Sequence, residues 1–160
     1  MNKKASLDDL PIILIIIFFL AVTTLTAKLM LSKVNEQYQE SDQVGTTAKD
    51  IIGKADNDYA SIFDGTFLVI FFVLALGSIL MASQVDVSPI FFPASIIVYV
   101  ILIIVSAVFG NAYYNIASAS EMIPYSEQFT IIPFIFNNIV LILLGIGILL
   151  GIVLYSKTAG

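Results

Sequence analysis

The sequence contains no histidine, no cysteine and no tryptophan, and all seven of its basic residues are lysines, so arginine is missing as well. Each absence closes a class of chemistry. Without cysteine there is no disulfide and no thiolate ligand or nucleophile. Without histidine and cysteine together, haem, iron–sulfur and the usual zinc and copper sites lose their ligands. Histidine-based triads and proton relays go with them. Without arginine there is no planar fork for phosphate, and a formal charge of −5 at pH 7 argues against a nucleic-acid partner. No catalytic activity, metal or organic cofactor is expected.

Charge itself is scarce. Only 12 % of the 160 residues are charged while 59 % are hydrophobic, and the mean hydropathy is +0.99. A soluble domain carries about twice that share of charge. The apolar residues fall in four unbroken runs of roughly the 20 residues a bilayer core requires. They cover 10–31, 66–84, 89–109 and 131–155. Lipid offers no partner to free backbone groups, and the runs do not alternate as barrel strands do, so helices are expected. The fold class predicted is all-α: a polytopic transmembrane helical protein with four spans. The first run follows Lys3 and Lys4, but Asp8 and Asp9 intervene and no clean small-residue cleavage site ends it. It reads as a retained helix rather than a signal peptide.

The remaining segments are an N-terminal tail (1–9), a loop at 32–65, a second loop at 110–130 and a C-terminal tail (156–160). The four residues 85–88 between the second and third runs predict a tight antiparallel hairpin. Ser6 ahead of Asp8, Asp9 and Pro11 reads as a helix start, as do Asp64-Gly65, Ser88-Pro89 and Thr130 with Pro133. Lysines do not choose an orientation: three fall on the side of the termini and four opposite, leaving a slight lean to termini inside.

The 32–65 loop holds seven of the twelve acids. The first helix is expected to continue two or three turns beyond the membrane before Gly45. A second short amphipathic helix is expected over 47–60. Glu36, Glu40, Asp42 and Asp50 are candidate contacts for a protein partner. Asp56-Asn57-Asp58 looks like the start of a calcium loop, but the glycine and terminal glutamate of that motif do not follow; a solvated acidic face is the better reading. The 110–130 loop carries many aromatic and aliphatic residues with only Glu121 and Glu127, which suits either an interfacial segment or a helix end plus loop.

Inside the runs, polar residues are few. Lys28 sits near the end of the first, where its stem is expected to snorkel to the interface. Thr23, Thr24 and Thr26 can bond back to their own helix. Asn137 and Asn138 fall six or seven residues into the fourth run. They would be intramembrane polar contacts or pore lining, or else interfacial groups if the span starts near Phe136. The latter is preferred because Pro133 marks a flexible start. Gly145, Gly147 and Gly151 include a GxxxG at 147–151, a close-packing surface for a helix within the chain or for a homo-oligomer. The runs contain no central carboxylate, so a transporter is not expected.

The stretch VFGNAYYNIAS (108–118), Phe129 and NIVLILLGIGILLGIVLYSK (138–157) resemble small integral membrane proteins of tailless, internal-membrane-containing viruses. The likeness covers the C-terminal half and rests on layout and composition. It implies a structural protein of a virion membrane, contacting lipid, capsid or neighbouring membrane proteins, and it brings no catalytic residues. The 32–65 loop departs from that minimal pattern. Two other functions fit the same sequence: a holin-type permeabilising protein, and a small accessory subunit of a membrane enzyme or transport complex.

Overall fold

The computed structural model describes residues 9–84 and 91–158. In chain order the helices are α1 (Asp9–Glu40), α2 (Thr46–Gln84), α3 (Phe91–Ala117), α4 (Ile123–Ser126), α5 (Ile131–Asn137) and α6 (Ile139–Thr158). Among the described residues there is no strand. Three helices are long and apolar enough to cross a membrane, and a fourth span results if α5 and α6 are counted together. The helix starts expected at Ser6 and Ser88-Pro89, and the turn at 85–88, lie outside the described residues.

Helices α1 and α2 form a long antiparallel hairpin. At 1.5 Å per residue the 32 residues of α1 span about 48 Å and the 39 of α2 about 58 Å. A bilayer core is about 30 Å thick, so the end of the pair near residues 41–45 projects well beyond it. The turn closes where the Ala48 and Lys49 amides donate to the Gly45 carbonyl (3.0 and 3.2 Å). Gln39 and Lys49 then bind each other reciprocally: Gln39 Nε2 donates to the Lys49 carbonyl at 2.9 Å, and Lys49 Nζ to the Gln39 carbonyl at 2.8 Å.

The hairpin is held by one stripe on each helix. Leu14, Ile17, Ala21, Leu25, Lys28 and Ser32 are buried along α1, and Asp56, Ala60, Asp64, Phe67 and Phe71 along α2. Both lines recur at intervals of three and four, the spacing of a coiled-coil seam. Around Phe136, which is fully buried, aromatic rings from four helices meet. Tyr113 of α3 stacks on it with centroids 4.6 Å apart, and Phe18 of α1 and Phe67 of α2 each approach to 6.2 Å.

Several boundaries differ from expectation. The 32–65 loop is helical on both sides of a short turn, because the polar seam continues the packing past the membrane. Asp64 and Gly65 do not start a helix; α2 runs through them without a break. One glycine in a helix costs only about 1 kcal/mol, which the surrounding burial exceeds. Helix α3 extends to Ala117, eight residues past the expected end. The fourth run is not one rod: α5 and α6 meet at Asn138 with a 72° bend. Among the described residues α2 packs mainly on α1, α5 and α6, and α3 on α1, α5 and α6. Helix α6 packs against both α2 and α3, and the turn expected to pair those two lies outside the described residues.

Candidate functional site

Polar chemistry inside the bundle is concentrated at three places. The first is the Lys28–Asp56 centre, between α1 and α2. Lys28 is 1 % exposed. Its ammonium donates to Asp56 Oδ1 and to the Asp56 backbone carbonyl, both at 2.6 Å. Ser32 Oγ donates to the same Oδ1 at 2.6 Å, and Asn35 Nδ2 to Oδ2 at 3.1 Å. Lys28, Ser32 and Asn35 follow one another at i, i+4 and i+7, so one face of α1 delivers all three donors. The lysine does not snorkel. Its stem runs along the seam, and its charge is matched by a carboxylate from the neighbouring helix.

Asp56 lies level with Lys28, ten residues before the apolar run at 66–84 begins. The hydrogen bonds from Lys28, Ser32 and Asn35 engage both of its oxygens within the hairpin. Those bonds also occupy the oxygens that a calcium reading of Asp56 and Asp58 would require. Asp58 is exposed on another face of α2.

The second place is Asp64, two helical turns further along the α2 seam. Its carboxylate accepts three backbone amides at the start of α5: Thr130 and Ile131 on Oδ2 (2.6 and 2.7 Å) and Ile132 on Oδ1 (2.8 Å). A helix leaves its first amides without partners. Thr130 stands at the N-cap but makes no side-chain capping bond, so a carboxylate from a distant helix does that work. Negative charge there also matches the helix dipole. Tyr113 stacks nearby against Phe136, and its buried hydroxyl has no partner among the described residues.

The third place is the α5–α6 bend. Asn138 ends α5, and its side-chain Nδ2 donates to the Phe134 carbonyl at 2.8 Å. The Asn138 carbonyl in turn receives the Ile142 amide at 2.9 Å. The Phe134 carbonyl also accepts the Asn138 backbone amide at 3.2 Å, so the side chain adds a second bond to an oxygen already engaged at the bend. Asn137 is exposed at the same bend.

Comparison with family models, curated proteins and solved structures finds no match for this chain.

The glycines expected to pack helices separate into different roles. Gly147 lies against the ring of Tyr99 on α3, whose hydroxyl reaches the Leu143 carbonyl. Gly145 and Gly151 have open space where a side chain would stand. Gly147 and Gly151 thus do not act as one paired surface within the chain. The closest backbone approach is at Gly110 instead, where an added Cβ would stand 2.9 Å from the Phe136 carbonyl oxygen. Gly110 lets α3 and α5 cross there.

Glu36, Glu40, Asp42 and Asp50 are all exposed on the projecting hairpin. Two of the seven loop acids, Asp56 and Asp64, are instead buried. A signal for them existed in the sequence. Both fall on the same three-and-four repeat as Ala60, Phe67 and Phe71, a position where a solvated acid does not belong. The short spacing of the apolar runs concealed it, because that repeat crosses the apparent membrane boundary.

Proposed function

We propose that this chain is a structural integral membrane protein, acting by helix packing and protein–protein contact within a membrane-bound assembly. The observation that carries the reading is the contrast between its buried and exposed polar groups. Lys28, Asp56 and Asp64 are engaged in holding helices together, while Glu36, Glu40, Asp42 and Asp50 stand exposed on an arm beyond the apolar stretch. Internal pairs such as Lys28–Asp56 and Gln39–Lys49 tie the two helices of the arm together, and its acids are left for a partner outside the bilayer. The resemblance of the C-terminal half to small membrane proteins of internal-membrane viruses supports a virion membrane as that assembly, with capsid or neighbouring membrane proteins as the proposed partners. No catalytic step and no cofactor belong to this proposal.

A holin-type reading has one observation in its favour, the exposed Asn137 beside a 72° break in an apolar segment. Inducible expression in bacteria, with growth and membrane potential followed, separates the two. A structural protein accumulates in the membrane with the potential intact. Rapid depolarisation and lysis would favour a pore and make Asn137 a lining candidate.

A further inference from the structure

Near the Lys28–Asp56 centre, the α1–α2 pair carries a shallow surface groove of about 460 Å³, more open than enclosed. Its walls are aliphatic and aromatic: Leu31, Ile51, Ile62 and the stacked pair Tyr59–Phe63, with ring centroids 4.2 Å apart. Two charges line it, Lys54 and Asp58, one helical turn apart on α2. Neither is in an ion pair among the described residues. With the lysine N-terminal to the acid, an i, i+4 contact between them has the weaker orientation.

The position of the groove along the bundle narrows what it can hold. Asp58 is the last exposed charge of α2 before the apolar stretch, and Ile62 and Phe63 lie beyond it on the membrane side. The groove therefore straddles the level at which headgroups give way to acyl chains. An amphipathic ligand fits that gradient, with its tail against Ile62 and Phe63 and its polar end between Lys54 and Asp58. A cation and an anion side by side complement a zwitterion, and a donor-bearing ammonium suits a carboxylate better than a quaternary one.

We propose that this groove binds one phospholipid of the phosphatidylethanolamine class: phosphate on Lys54, primary ammonium on Asp58, and an acyl chain along Ile62 and Phe63. The inference goes beyond a structural role and depends only on the chain's placement in a membrane.

The test is native mass spectrometry of the full chain, released from micelles doped with equal amounts of phosphatidylethanolamine, phosphatidylcholine and phosphatidylglycerol. The wild-type chain should retain one phosphatidylethanolamine in preference to the other two. Asp58→Asn should reduce its advantage over phosphatidylcholine about tenfold, the size of one charge-assisted hydrogen bond. Lys54→Gln should weaken retention of both. Ile62→Trp should displace the lipid by filling the groove, whereas Leu76→Trp, on an exposed stretch of α2 away from it, should not. Both charge substitutions are at exposed positions, and circular dichroism verifies that helicity is kept. Equal retention of the three lipids, preference for phosphatidylglycerol, or an unchanged preference in Asp58→Asn would each overturn the proposal. So would displacement of the lipid by Leu76→Trp as readily as by Ile62→Trp.

Discussion

Lys28 and Asp56 are each buried and each charged, so the energetic consequence of losing one depends on what is left behind. Removing one partner of a buried pair strands an uncompensated charge, at a cost of about 3–5 kcal/mol, whereas replacing both with apolar residues is often neutral. Lys28→Met should therefore lower the thermal stability of the detergent-solubilised protein sharply, and Lys28→Met with Asp56→Leu should recover most of it. A double variant less stable than Lys28→Met alone would show that the pair contributes more than the removal of an unmatched charge.

At the level of the elements, α5 is the most dependent. It has seven residues, and its first amides rest on the carboxylate of Asp64. Asp64→Ala leaves those amides open inside the bundle at about 1–3 kcal/mol. Asp64→Asn keeps an acceptor and should cost less. Hydrogen exchange should show lost protection at 130–132 in Asp64→Ala while the α1–α2 hairpin stays protected. Uniform loss across the chain would mean that Asp64 holds the whole bundle rather than one helix end.

These elements also show what could be read from the chain beforehand. The apolar runs of α1 and α3 were plain, since about 20 consecutive lipophilic residues have few alternatives. The continuation of α1 to Glu40 followed from Val34, Tyr38 and Ser41 falling on one helical stripe. The bend at Asn138 was hidden, because hydropathy reports depth and says nothing about direction. The partners of Lys28 and Asp64 were hidden for another reason. Lys28 meets a residue 28 positions away, and Asp64 meets amides 66 to 68 positions away. Apolar runs taken one at a time cannot supply such pairings. Gly147 stood out through its motif, yet Gly110, with no motif, makes the closer backbone approach.

On the scale of the whole molecule, an apolar bundle carries a helical hairpin longer than a bilayer core is thick. Along the apolar parts of α2, α3 and α6, aliphatic side chains face outward, with Val73, Ile97, Ile104 and Ile148 each more than 60 % exposed. That surface is stable only against lipid or other membrane proteins. The hairpin end carries the exposed acids and few large apolar groups, which suits water and a polar partner.

The absence of native cysteine makes the direct measurement straightforward. Single cysteines placed at Glu40, Asp50, Phe72, Ile104 and Ile148 in reconstituted vesicles can be exposed to a polar maleimide on both faces. The account predicts rapid labelling at positions 40 and 50 and protection at 72, 104 and 148 until detergent is added. Protection at position 50, or labelling at 72 in intact vesicles, would contradict a membrane-anchored bundle with a projecting arm.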